Sequence, residues 1–206
     1  MEQRSLEWFE ARRGKVTGSR IADVMAKTKT GWGASRANYM AQLIAERLTG
    51  NIAESYSNSA MQWGTETEPR ARDAYEFFHM VEVEEVAIVN HPRIAMSSCS
   101  PDGLVGEDGL VEIKCPNTAT HIDTLLTGKI KSAYIKQMQW QMICTGRQWC
   151  DFVSFDPRMP INMQLFIKRV DSDKNAVAEM EDAVEEFLIE LDAKITQLKS
   201  IYEDAA

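Results

Sequence analysis

The order of local patterns along the chain predicts an α/β domain with a mixed central β-sheet flanked by helices. Three observations carry that expectation. Over the first eighty or so positions apolar residues recur at three- and four-residue spacing, the period of amphipathic helices. From Val81 the period shortens to two, the period of strands, with one helical stretch before the last strands. A long three–four stripe then occupies the C-terminal segment. Mixed segments of this kind pack as helices against a sheet. The 206 residues suit one domain with a sizeable core. It divides into an N-terminal helical region 1–80, a sheet core 81–170 and a C-terminal helix 171–206.

Taken in order, Ser5 caps a short helix over Leu6–Ala11 that ends near Gly14. Thr17 caps a second over roughly Gly18–Ala26, and Lys27–Ala34 reads as a loop. Asn38–Leu48 is a helix with Tyr39, Leu43, Ile44 and Leu48 on one side, closed by Gly50. The polar stretch Asn51–Ala60 precedes a helix over about Glu66–His79, where Thr65 and Glu68 have capping-box spacing. Strands follow at Val83–Val89 and Ile94–Ser98, with a structural His91 in the turn between them. Helices are expected at Thr118–Thr127, broken at Gly128, and at Lys131–Cys144. Trp149–Phe155 and Met163–Val170 are strands joined by Asp156-Pro157-Arg158. The last helix starts after Asp171-Ser172, and its stripe of Val177, Met180, Val184, Phe187, Leu191, Ile195 and Leu198 is expected to pack on the sheet.

The chemistry concentrates in Ser100–Lys114. Two apolar runs flank Gly106-Glu107-Asp108-Gly109, the pattern of a β-hairpin. Side chains alternate along a strand, so Glu112 and Lys114 share a face while Val111 and Ile113 point into the core. Folding back at the turn brings Asp102 beside Glu112, placing two carboxylates and an ammonium on one edge of the sheet. Hard oxygen anions suit Mg²⁺ or Mn²⁺. A lysine two residues on suits a metal-bound water or charge developing on a phosphate. Pro-Asp-Gly is also a common turn tripeptide, and Glu-x-Lys also occurs on exposed strand faces. Near the N-terminus, Thr17 and Ser19 open a helix beside Arg12, Arg13 and Lys15. That is a place for a phosphate, although the residues alone favour an ordinary capped helix with surface arginines.

The order Pro-Asp … Glu-x-Lys is that of restriction-endonuclease-like nucleases, and its surroundings narrow the likeness. Cys99–Leu104, Glu112–Pro116, Lys131–Tyr134 with Gln137 and Gln139, and Asp156–Met159 resemble the phage lambda exonuclease and YqaJ-like viral recombinase family. Trp8, Arg12, Gly14, Thr17, Ser19, Trp63, Gly64 and Glu68 extend the likeness over nearly the whole chain. The resemblance implies a restriction-endonuclease-like fold. The implied activity is a metal-dependent exonuclease that degrades the 5′-ended strand of duplex DNA, with Mg²⁺ (or Mn²⁺), as two ions, as cofactor. It implies Asp102, Glu112 and the backbone carbonyl of Ile113 as metal ligands, with Glu68 reaching a metal directly or through water. Lys114 acts on the attacking water. Arg12, Ser19, Ser100 and Gln137 are implied as a pocket for a terminal 5′ phosphate. Tyr134 and Gln139 are further DNA-binding candidates, Gln137 and Gln139 being otherwise exposed amides. Met61 is either core packing or an apolar wedge at the duplex end. Implied partners are double-stranded DNA ends, a single-strand annealing protein, and the chain itself in a ring-shaped homotrimer.

A net charge of −8 argues against nucleic acid only until its distribution is read. Residues 1–50 carry nine Lys or Arg against five Asp or Glu, whereas residues 171–206 carry three against eleven. A basic front can still meet DNA. No apolar run reaches the ~20 residues of a membrane span, and the opening Met1-Glu2-Gln3-Arg4 is polar, so no leader or membrane is expected. The four cysteines form no Cys-x-x-Cys pair. A zinc site joining Cys99 and Cys115 with His91 or His121 is conceivable, but reduced cysteines in a cytoplasmic protein fit better; the family resemblance implies that this cytoplasm is a bacterial host's. Two other classes stay open: a restriction-like endonuclease, and a DNA-binding module with a vestigial metal site.

Overall fold

The structure is a computed structural model that describes residues 1–52 and 59–202, so most of the polar stretch before the fourth helix lies outside the described residues. The predicted hairpin is its centre. Strands β7 (Gly103–Val105) and β8 (Gly109–Lys114) pair antiparallel in the register Gly103↔Val111, Leu104↔Leu110, Val105↔Gly109. Gly106 opens the turn at φ 54°, in the left-handed region that glycine enters without a Cβ penalty. Arg147 staples the turn by donating to the carbonyls of Gly106 and Gly109, each at 2.7 Å.

Around the hairpin stands a five-stranded sheet in the order β10 (Leu165–Asp171), β9 (Trp149–Phe155), β8, β7, β4 (Val83–Glu84). Only the β8–β9 pair is parallel, so the sheet is mixed as the sequence predicts. β8 is a central strand, and the expected site on a sheet edge is corrected accordingly: the carboxylates lie at the end of an interior strand. Val111 and Ile113 face one side, packing with Val83, Val105, Val153 and Phe155 under Ala71 and Tyr75 of α4 (Ser59–His79). Leu110 and Phe152 face the other, against Met138 and Met142 of α6 (Ser132–Thr145). By strand alternation Glu112 belongs to the α6 side.

A second layer is mainly helical. α1 (Leu6–Arg12) is capped by Ser5, whose hydroxyl accepts from the Trp8 amide at 3.2 Å, as expected. After it, β1 (Val16–Thr17) pairs with β6 (Ser97–Cys99), which also pairs with β5 (Val89–Asn90). The stretch read as Val83–Val89 is therefore two short strands in different sheets. Thr17 makes no cap. It is a strand residue whose amide donates to the Tyr39 hydroxyl, and the expected helix breaks into a 3₁₀ turn, Gly18–Arg20, and a four-residue helix α2 (Ile21–Val24). The expected loop at 27–34 contains a small hairpin, β2 (Lys27–Thr28) with β3 (Gly31–Trp32).

Helix α3 (Ala34–Thr49) ends on left-handed Gly50 as predicted; Tyr39 and Leu43 are buried, while Leu48 turns to solvent. α4 begins seven residues before the expected start. Thr65 is consequently inside the helix and donates back to the Met61 carbonyl, so the capping box does not form. α5 (Thr118–Thr127) ends at Gly128, as read. The long α7 (Lys174–Tyr202) buries Met180, Val184, Phe187 and Leu191, but against Ile21, Val24, Tyr39, Leu43 and Trp140 of the helical layer rather than against the sheet. The period gave the buried face correctly. It cannot say which neighbour covers that face.

Candidate active site

Asp102 immediately precedes β7, and the hairpin register continued by one residue sets it across from Glu112. Its Oδ2 accepts from the Ile113 amide at 2.7 Å. That bond locks the carboxylate to the strand carrying Glu112. It also spends the Ile113 N–H, and the Ile113 carbonyl belongs to the peptide joining that residue to Lys114.

Glu112 is fully buried, and three donors meet its carboxylate. Gln137 Nε2 reaches Oε1 at 2.7 Å, Gln141 Nε2 reaches Oε2 at 2.6 Å, and the Lys114 ammonium pairs with Oε1. Gln137 and Gln141 are one helical turn apart on α6, so one face of that helix supplies both amides. The sequence singles out Gln137 only through the resemblance. Gln141 carries no signal in the sequence beyond lying in a predicted helix, and only the strand–helix packing reveals that it grips Glu112.

Burial, followed by the charge on Glu112 and then that on Glu68, pushes the Asp102 carboxyl well above the usual carboxylate range, with Lys114 opposing. Burial works against charge on Lys114 as well. Glu112 and Asp102 outweigh it and hold the ammonium above its ordinary value. The neighbouring Cys115 thiol is pushed up to about 12 by burial, Glu68 and Asp102, so it is not a thiolate ligand in waiting. Carboxylates crowded into one partly desolvated place repel one another, and a divalent cation relieves that repulsion. Among the described residues, no three of His, Cys, Asp and Glu converge as a ready-made metal cage, so the conceivable zinc site is not formed. Mg²⁺ does not need such a cage: one or two carboxylates, a carbonyl and waters suffice. Asp102 and Glu112 fit that requirement. Glu68 stands further along α4, held by Arg4 at 2.7 Å and Arg72 at 3.2 Å.

The remaining candidates fall into separate groups. Ser100 Oγ accepts from Arg12 Nη1 at 2.9 Å and Trp8 Nε1 at 3.0 Å, and the Arg12 guanidinium lies 4.0 Å over the Trp8 ring. Arg12 also lines a cleft of about 550 Å³ together with Ser19, Met61, Arg13, Lys15 and Arg20. One acidic side chain, Glu46, belongs to that lining, so the basic front of the sequence becomes a basic cleft. Ser19 is presented by the 3₁₀ turn rather than by a helix N-terminus. Met61 is 54% exposed, so core packing is not its role.

Tyr134 stacks on Phe152 with ring centroids 5.9 Å apart, and the Lys114 ammonium lies 5.2 Å from the Tyr134 ring. Gln139 is not brought to the site. It is buried on another face of α6, donating to the Asp171 carbonyl at 2.8 Å and accepting from the Asp173 amide at 2.9 Å. A residue two positions from Gln137 points to a different side of a helix, which the sequence pattern already implies.

A model of the YqaJ-like viral recombinase domain matches residues 7–148. The alkaline exonuclease LHK-Exo of Laribacter hongkongensis is 56% identical, with a TM-score of 0.91 over 98% of this chain and 100% of that one. The same enzyme solved with dAMP superposes with a TM-score of 0.92, at the same identity and coverage. A phage-related exonuclease from Haemophilus somnus 129PT shares the fold at 15% identity, with a TM-score of 0.74 over 92% of this chain and 99% of that one. Among curated proteins no match is found. These likenesses agree with the restriction-endonuclease-like α/β architecture expected from the sequence.

Proposed function

The chain belongs to the YqaJ-like viral recombinase family, and from that premise we propose that it is a Mg²⁺-dependent exonuclease. It digests the 5′-ended strand of duplex DNA and leaves 3′ single-stranded tails for recombination by strand annealing. The observation that carries the reading is the pair Asp102–Glu112, locked side by side by the Asp102–Ile113 hydrogen bond, with Lys114 on the same strand face. The 56% identity to a protein named as an alkaline exonuclease, which also binds dAMP, supports the substrate class.

Asp102, Glu112 and the Ile113 carbonyl would hold the ion or ions, with Glu68 contributing directly or through water. When bound, Mg²⁺ or Mn²⁺ supplies charge neutralisation at the scissile phosphate and a more acidic water. Lys114 orients that water and meets the developing negative charge. Gln137 and Gln141 keep the Glu112 carboxylate turned to its task. Arg12 with Ser100, and Ser19 from the same cleft lining as Arg12, would seat a terminal 5′ phosphate, fixing which strand is cut by positioning alone. Met61, exposed at the cleft, is suited to press on the last base pair.

We propose further, as the resemblance in the sequence implies, a ring-shaped homotrimer, an annealing-protein partner, and work in the cytoplasm of a bacterial host. No helix among the described residues is long and apolar enough to cross a membrane. The test is digestion of duplexes labelled at the 5′ or the 3′ end, beside a covalently closed circle, with Mg²⁺ and with EDTA. Mononucleotide release from 5′ ends alone, with the circle intact and no release in EDTA, is expected. Cutting of the circle would replace the exonuclease reading with an endonuclease.

A further inference from the structure

The segment ahead of α1 is tied to the catalytic hairpin by contacts for which the reaction above has no use. Gln3 Nε2 donates to the carbonyl of Pro101 at 2.7 Å and to that of Val86 at 2.9 Å. Pro101 is the residue before Asp102. Arg4 has φ 70°, a left-handed conformation that is strained for an L-residue. From there its Nη2 reaches Glu68 Oε2 at 2.7 Å. Glu68 does not depend on that partner. Arg72, one turn further along α4 and itself anchored on Glu85 at 2.8 Å, already holds Oε1. The two arginines differ in burial: the Arg72 side chain is 13% exposed and the Arg4 side chain 44%. Arg4 is therefore a second, solvent-facing cation on a carboxylate that is already paired. Its backbone is pinned beside the loop that carries Asp102.

We propose that Arg4 is a DNA-binding residue whose guanidinium rests on Glu68 in the free protein and passes to a phosphodiester oxygen of the digested strand when DNA enters. This deepens the exonuclease reading and rests on it. The guanidinium fork fits phosphate as well as carboxylate, so the exchange keeps a charge-assisted pair. Glu68 keeps Arg72 after the exchange and is not left as a bare buried charge. With Gln3 holding the backbone, only side-chain rotation is needed. Pro101, whose carbonyl Gln3 holds, is the residue before Asp102, so a phosphate met by Arg4 lies beside the loop that carries that carboxylate.

Arg4→Gly isolates the cation, because glycine accepts φ 70° without strain. The variant should melt no lower than wild type. The measurement is anisotropy of an end-labelled 5′-phosphorylated duplex in EDTA, from about 50 to 200 mM salt. Loss of one phosphate contact should reduce the slope of log affinity against log salt by about 0.9. It should weaken binding roughly tenfold at the lower salt. Arg4→Lys should restore the slope. An unchanged slope in Arg4→Gly, with only a higher Mg²⁺ requirement for digestion, would assign Arg4 to holding Glu68 and overturn the proposal. Wild-type protein that neither binds nor digests the duplex would instead overturn the exonuclease reading beneath it.

Discussion

Replacing Gln141 with alanine removes the donor to Glu112 Oε2 and touches no other partner of that carboxylate. Glu112 is fully buried, so water does not substitute freely. A hydrogen bond to an ionised acceptor contributes about 1.5–3 kcal/mol, and at 2.6 Å this one is short enough for that range. For a domain of this size the melting midpoint should then fall by about 3–12 °C in EDTA. A second effect falls on metal affinity. Gln137 and Lys114 both pull on Oε1, so without Gln141 no hydrogen-bond donor among the described residues holds Oε2 and the carboxylate rotates toward the remaining donors. Loss of an outer partner of this kind typically weakens a metal site about 10–100-fold. An opposing effect, the extra negative charge left on Oε2, is smaller than the cost of losing the orientation. The assay is a Mg²⁺ titration of duplex digestion beside thermal melts with and without the ion. The half-saturating Mg²⁺ concentration should rise by that factor, with maximal turnover falling less. An unchanged Mg²⁺ midpoint and an unchanged melting temperature would show that Gln141 does not hold Glu112.

Three further outcomes follow from the same geometry. Asp102→Ala should abolish Mg²⁺ binding and digestion, whereas Lys114→Ala should keep Mg²⁺ and DNA binding and lose about 10²–10⁴ in rate; near-normal turnover of Lys114→Ala would remove lysine from the mechanism. In single-turnover digestion, 5′-phosphorylated ends should be cut roughly 10–100 times faster than 5′-hydroxyl ends, the worth of one charge-assisted contact, and Arg12→Ala should collapse that ratio; equal wild-type rates on both ends would rule out the phosphate pocket. Burial would raise the Asp156 carboxyl, but bonds from Arg158 and Thr118 outweigh it and bring the value down to about 2. Its contribution to stability is thus full above about pH 4 and disappears toward pH 2. Asp156→Asn should cost about 1–2 kcal/mol at pH 7, the upper figure discounted because Arg158 is half exposed. In denaturant titrations the gap should close by about pH 2; an equal gap at both pH values would place its origin elsewhere.

The parts of the fold legible in the sequence are those whose cause is local. Ser5 as a cap, Gly50 and Gly128 as helix stops, the Gly106 turn and the limits of Trp149–Phe155 depend on residues within a few positions of one another. The errors arise where a distant partner decides. Thr17 has the right side chain for a cap, but pairing with Ser98 of β6 fixes it as a strand and shortens the helix behind it. Thr65 and Glu68 have capping-box spacing, yet tertiary packing extends α4 back to Ser59. Capping preference is worth about 1 kcal/mol, less than burying several apolar side chains, so tertiary context wins at both places.

The candidate site divides along the same line. Asp102, Glu112 and Lys114 are readable because strand alternation and one turn bring them together within thirteen residues. Arg12 and Ser100 are 88 positions apart, and only the family likeness joins them before the structure does. Gln141 and Arg4 escape both routes, for different reasons. The amide of Gln141 reaches Glu112 because β8 is an interior strand covered by α6, whereas the sequence reading places that carboxylate on a sheet edge. An edge carboxylate needs no amide donors; a fully buried one does, since leaving it unpaired would cost several kcal/mol. Arg4 looks like an ordinary charged residue near a terminus until its positive φ and the second arginine on Glu68 are seen together. What ties the acidic centre to the basic cleft is the short run from Ser100 to Asp102. Arg12 grips its first residue, Gln3 the carbonyl of its second, and Ile113 the carboxylate of its third. In the proposed reaction, a phosphate seated at Arg12 would thereby be referenced, through two peptide units, to the carboxylates proposed to act on the next phosphodiester.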